Sequence, residues 1–197
     1  MYWNEKMKQK LKVLTVVIIG VIVSVLLWYG CHFYFNPVEE YRNFTAQGVL
    51  IYDTVPADYK NVDVEVNAKT YYYLFGNEPD SIQGNIWMEG KGIFGYGDAD
   101  EIGFYLEFHN NEKYCCAQVR IETTQGCMIA ASRELQHIIC GITVANESSE
   151  KQGQKGNRKA LLVIPSEDIE NAKEIIDEVS AESVPFSKWL SETMTLR

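Results

Sequence analysis

The chain has 197 residues, 46% hydrophobic and 23% charged, which excludes disordered and collagen-like polypeptides and leaves room for one ordinary domain plus an appendage. Its 27 acidic side chains against 18 basic ones give a net charge of −9 at pH 7. That balance excludes nucleic acid as the main partner, because phosphate binding needs a basic field.

The first 12 residues form a basic stub, with Lys6, Lys8, Lys10 and Lys12 opposed only by Glu5. From Val13 to Val38 there is no Asp, Glu, Lys or Arg. Within that stretch, Val13 to Tyr29 reads VLTVVIIGVIVSVLLWY, and residues 13–35 supply the roughly 20 residues that a helix needs to cross a hydrocarbon core. Lipid is therefore the expected partner of Val13 to Tyr29. The flanking charge places the N-terminus in the cytoplasm and the remainder outside the cell membrane. Trp28, Tyr29, Phe33, Tyr34 and Phe35 fit an aromatic belt at the outer interface. A cleaved signal peptide is a poorer fit, since the apolar core is too long and Trp28-Tyr29-Gly30 is a poor cleavage sequence. Gly30-Cys31 half fits a lipoprotein signal, but Trp28 and Tyr29 stand where such signals carry small or aliphatic residues.

Residues 36–43, with Pro37, read as a polar juncture, and residues 44–197 as one extracytoplasmic domain. The stub carries +3 of the whole chain's −9, so the part beyond the span carries −12. Strand signals follow one another through the domain: Gly48 to Tyr52, the alternating Val62, Val64 and Val66, and the aromatic run Thr70 to Phe75. Ile82 to Glu89, Ile102 to His109 and Tyr114 to Ile121 alternate in the same way, and Ile138 to Val144 and Ala160 to Ile164 complete the set. Gly76 to Pro79, Gly90 to Gly92 and His109 to Asn111 mark turns. Ser132 to His137 reads as one helical turn and Glu147 to Lys159 as an exposed loop. At the C-terminus the period changes: Ile169, Ala172, Ile176 and Val179 predict a helix over 167–179, with a second short helix after Pro185. The expected fold is a single N-terminal transmembrane helix plus an α+β domain. That domain is mainly an antiparallel meander, a sandwich or partly closed barrel, with a C-terminal helix.

The candidate chemistry is thin. Gly90, Gly92 and Gly95 match G-x-G-x-x-G, but a dinucleotide site needs a helix after the glycines, and a strand follows here, so no cofactor is expected. Asp98, Asp100 and Glu101 form an acidic turn without the spacing of a calcium loop, and no metal is expected. Cys31 lies at the membrane edge. Cys115, Cys116, Cys127 and Cys140 lie in the domain, with Cys115 and Cys116 on opposite faces of one strand. Either Cys127 joins Cys115 or Cys140 in a disulfide, or all four remain thiols. Asn43-Phe44-Thr45 and Asn146-Glu147-Ser148 match the glycosylation sequon. Tyr71, Tyr72, Tyr73, Trp87, Tyr96 and Tyr105 are too many for one thin core; cross-strand pairs beneath the C-terminal helix are the expected arrangement.

A membrane-anchored β-barrel carrying Cys, His and Arg resembles a sortase transpeptidase. The resemblance implies Cys127 as nucleophile, His109 as its partner and Arg133 as the oxyanion donor. The family's Thr-Leu-x-Thr-Cys strand falls on Thr123 to Cys127, where Thr124 and Gly126 replace the leucine and the second threonine. About eight strands and a C-terminal helix are also similar to the layout of a lipocalin, which implies a small-ligand carrier; Gly84-Asn85-Ile86-Trp87 loosely matches that family's Gly-x-Trp. The expected function is a bacterial cell-surface interaction or sensing module without catalytic activity, meeting a protein partner. The carrier and the cysteine enzyme are the alternatives.

Overall fold

The computed structural model describes residues 2–53, 58–76, 78–93, 103–109, 112–121, 124–145 and 157–194. It divides into two compact units, the first being Met1–Val38 with Tyr72–Glu78 and the second Glu39–Tyr71 with Pro79–Arg197.

In the first unit, α1 (Tyr2–Phe35) is one continuous helix through the stub and the apolar run. Its stretch Glu5–Phe35 is long and apolar enough to cross a membrane. Thr15 and Ser24 donate back to the carbonyls of Leu11 and Gly20, so neither hydroxyl is left unsatisfied on an apolar helix. Asn36 closes the end, its backbone and side chain both donating to the carbonyl of His32.

The second unit is built on one antiparallel sheet of nine strands: β1 (Val38–Tyr52), β2 (Asp58–Tyr72), β3 (Asp80–Met88), β4 (Lys91–Gly92), β5 (Phe104–Phe108), β6 (Tyr114–Ile121), β7 (Thr124–Ser132), β8 (Ile138–Ala145) and β9 (Asn157–Ile164). The order is β4-β3-β2-β1-β9-β8-β7-β6, with β5 lying against β3 beside β4. Two helices follow, α2 (Ile169–Glu182) and α3 (Val184–Thr193). The sheet curls but does not close: its two ends are β5 and β6, and among the described residues no ladder joins them.

The alternation of side chains along the strands builds two apolar clusters, one on each face. The inner one fills the curl with Leu50, Val62, Val64, Val66, Ile82, Ile86, Phe104, Leu106, Phe108, Cys127, Ile129, Cys140 and Leu162, among others. The outer one joins Val49, Ile51, Met128, Ala130, Ile139, Leu161 and Val163 to Ala172, Ile175, Ile176, Val179 and Phe186 of the two helices. Asp168 caps α2 by accepting from the Asn171 N–H at 2.8 Å, which sets its start at Ile169 rather than 167; its end lies at Glu182 rather than 179.

Several expectations are corrected. The juncture over 36–43 is strand from Val38 onward. Val62–Val66 and the start of the aromatic run form one strand that ends at Tyr72, leaving Leu74 and Phe75 in a turn. Ser132–His137 is a tight turn and not helical: Ser132 N–H donates to the His137 carbonyl, and Ser132 Oγ accepts from the His137 N–H at 3.0 Å. Strand β7 is not among the strands read from alternation; only the match over Thr123 to Cys127 touches its start. Glu89 and Gly90 both have positive φ, 51° and 74°, the geometry of a two-residue hairpin turn between β3 and β4, so Gly90 serves a turn as expected, while Gly92 lies in β4. Asn157 to Lys159, expected at the end of a loop, begin β9. Gly95, Tyr96, Asp98, Asp100, Glu101, Asn110, Asn111, Thr123 and residues 146–156 lie outside the described residues.

Candidate functional site

The seam between β5 and β6 leaves the sheet open between its two ends. A groove of about 800 Å³ lies along it, lined by Tyr105, Glu107 and His109 of β5 and its end, by Glu112 to Ala117, and by Glu182 to Pro185 at the α2–α3 junction. The β5 rim is held against β3, where Ser81 faces Glu107 and Gln83 faces Tyr105. The β6 rim is held against β7, where Ala131 faces Cys115 and Ala130 faces Cys116. Across the seam the Cys115 thiol donates to the Glu107 carbonyl at 2.7 Å. That carbonyl therefore points into the seam, and the N–H of Glu107 leaves the strand on the same side, as the two backbone groups of one strand residue do.

The charged residues of the lining are mostly acidic. Glu107, Glu112 and Glu182 face the groove, with His109 3.6 Å from Glu107. The cation Lys113 is engaged by Glu178 of α2. Glu178 is the hub of a network that ties β6 to the helix. Tyr114 donates its hydroxyl proton to Glu178 Oε1 at 2.9 Å, so its oxygen is left to accept from His137 Nδ1, also at 2.9 Å. This places the imidazole proton on Nδ1. The bonds from Lys113 and Tyr114 hold the Glu178 carboxyl below the ordinary carboxylate range, and Glu178 in turn raises Lys113. Burial, and then Glu178, raise Tyr114.

The two adjacent cysteines point to opposite faces, as their alternation requires, Cys115 against the inner cluster and Cys116 against the outer one. Burial pushes the Cys115 thiol up to about 11. Burial also raises Cys116, whose sulfur lies 2.9 Å from Ser183 Oγ at the start of α3. Both stay protonated at neutral pH, the state in which a thiol is a poor nucleophile.

The residues singled out for a cysteine enzyme are not assembled. Cys127 is 3% exposed, on the inner face of β7 opposite Val119. Five steps of about 3.4 Å along that strand, roughly 17 Å, separate it from Ser132, next to which Arg133 stands. Arg133 is engaged by Asp80 at 3.3 Å and stacks over the Phe108 ring. His109 follows Phe108 and is exposed, so Arg133 and His109 share one end of the sheet without Cys127. None of Cys31, Cys115, Cys116, Cys127 and Cys140 is in a disulfide in the structure; Cys127 and Cys140 lie on the same inner face of neighbouring strands. Among the described residues no group of His, Cys, Asp and Glu could hold a metal.

The aromatics depart from expectation. Tyr71, Tyr72, Tyr73, Trp87 and Tyr105 do not enter the cluster beneath the helices. Tyr71 instead stacks with Lys69, which Tyr41 also covers and which Glu39 binds at 2.8 Å. Glu39 thereby raises Lys69. Sequence reasoning also missed the seam, because nothing in the alternation of β5 or β6 says that their facing edges fail to pair. Comparison with protein-family models, with curated protein sequences and with solved structures finds no match to the chain.

Proposed function

We propose that this chain is a single-pass membrane protein, N-terminus in the cytoplasm, whose acidic β domain is displayed outside as an interaction module without catalytic activity. The groove between β5 and β6 is its contact surface, and a partner that presents an extended, basic segment suits it best. The observation that carries the reading is the unclosed seam: two neighbouring strand edges, a backbone carbonyl turned into the gap, and Glu107, Glu112 and Glu182 around it. Strand edges of this kind give affinity through main-chain hydrogen bonds, and the acidic rim supplies the sign of the charge selectivity. The separation of buried Cys127 from exposed His109 supports a role without thiol catalysis, and the side chains that fill the curl of the sheet support a role other than carrying a ligand inside it.

An amine-reactive, membrane-impermeant reagent applied to intact cells tests the topology. Lys173 and Lys188 should be modified and Lys6 to Lys12 should not, until the membrane is opened. Modification of the stub alone in intact cells would overturn the proposal.

A further inference from the structure

The turn between β2 and β3 carries its two most apolar residues at its tip. The Gly76 N–H donates to the Tyr73 carbonyl at 3.0 Å, and Gly76 sits at φ 62°, which glycine adopts without strain. The two central positions of that turn are Leu74 and Phe75, 62% and 57% exposed. Turn tips are ordinarily polar, because they face water. Side chains of this size left out of both apolar clusters call for a partner.

The turn belongs to the same compact unit as α1, and the Phe75 ring lies 6.0 Å from the ring of Tyr34, near the end of that helix. Tyr34 is one of five aromatic residues in the last turns of α1, where Trp28 meets Tyr29 edge-on, Tyr29 stacks on Phe33, and Tyr34 meets Phe35 edge-on. Aromatic residues at the end of an apolar span settle at the boundary between headgroups and acyl chains.

From this contact we infer that the Tyr73–Gly76 turn is a second membrane contact, with Leu74 and Phe75 entering the lipid interface beside the aromatic end of α1. The occupant is lipid, because Phe75 is continuous with the apolar surface of the helix that reaches the bilayer. The inference rests on the membrane-anchor reading above.

The test uses the full chain reconstituted in phosphatidylcholine vesicles, with a photoreactive amino acid placed in turn at Phe75, at Leu26 inside α1 and at Lys173 on α2. Illumination followed by mass spectrometry of the protein should give lipid adducts at Phe75 comparable with those at Leu26 and many-fold above those at Lys173. Adducts at Leu26 with only the Lys173 background at Phe75 would overturn the inference and leave the anchor standing. So would adducts at Phe75 to a second protein copy in place of lipid. Absence of lipid adducts at Leu26 would overturn the anchor reading and this inference with it. The variant L74S/F75S, changed only at exposed positions, supplies an independent readout: a probe at Tyr73 should lose its lipid adducts in that background, and unchanged adducts there would contradict the role given to Leu74 and Phe75.

Discussion

The Cys115 thiol and the Glu107 carbonyl meet at 2.7 Å across the seam where the curled sheet stops short of closing. A side chain here fills the place that a neighbouring strand would take. Cys115→Ala should cost about 1 kcal/mol, the usual net worth of one hydrogen bond. The cost should appear as faster amide hydrogen exchange in β5 than in β8, since β8 is bonded on both sides. Equal acceleration in both strands would mean that the seam is not a local weak point.

Thiol chemistry follows from burial. Cys115 is held near 11, Cys116 and Cys140 are also raised, and Cys127 and Cys140 are buried. The folded domain should therefore react with iodoacetamide at neutral pH far more slowly than its urea-unfolded form at these four positions. A fast-reacting Cys127 in the folded domain would reopen the enzyme reading.

Much of the domain was legible where one face of a strand is wet. Val62, Val64 and Val66 alternate with exposed neighbours, and so do Phe104, Leu106 and Phe108, because only their inner face is covered. Strand β7 was illegible for the opposite reason. Cys127, Ile129 and Ala131 pack inside while Met128 and Ala130 pack beneath the helices, so burial on both faces erases the alternation, and its small residues lack strand preference. The first part of β1 was illegible because its residues are largely exposed. The Glu178 network was beyond reach because Lys113, Tyr114, His137 and Glu178 meet only through the packing of α2 on the sheet.

Two glycines in the sheet are there for space. A Cβ on Gly84 would lie 2.4 Å from the Asn67 carbonyl oxygen and 2.8 Å from Ala68 Cα, both backbone. A Cβ on Gly141 would lie 2.0 Å from the far ring edge of Trp189, a side chain of α3 that can shift. Both alanine variants should be destabilised, Gly141→Ala by about 1–3 kcal/mol as overpacking usually costs, and Gly84→Ala by more, because β2 itself must move. Urea unfolding ranks them; the reverse order would contradict the register of β2 on β3.

The Glu178 cluster predicts an acid-side loss of stability. The Glu178 carboxyl is held below its ordinary value of 4.5, so the folded state binds its proton more weakly than the unfolded chain. The contribution is fully present above 4.5 and is lost as pH falls through the depressed value. Lys113, Tyr114, His137 and Glu182 are the charged and titratable groups around it. In Glu178→Gln, melting temperature should fall less steeply below pH 4.5 than in the parent, and high salt should narrow the difference, since the pair with Lys113 is exposed. Parallel acid profiles would show that the cluster does not couple to folding.

The central claim is that the seam is where a partner is met at the membrane surface. The most direct measurement is photocrosslinking from Tyr105, in the groove, in the full chain within its native membrane, with Lys173 on the outward side of α2 as the control position. The account predicts a discrete protein adduct from Tyr105 that Lys173 does not give, and its loss when Glu107, Glu112 and Glu182 are all changed to lysine. The same adducts from both positions, or an adduct from Tyr105 that survives the charge reversal, would contradict it.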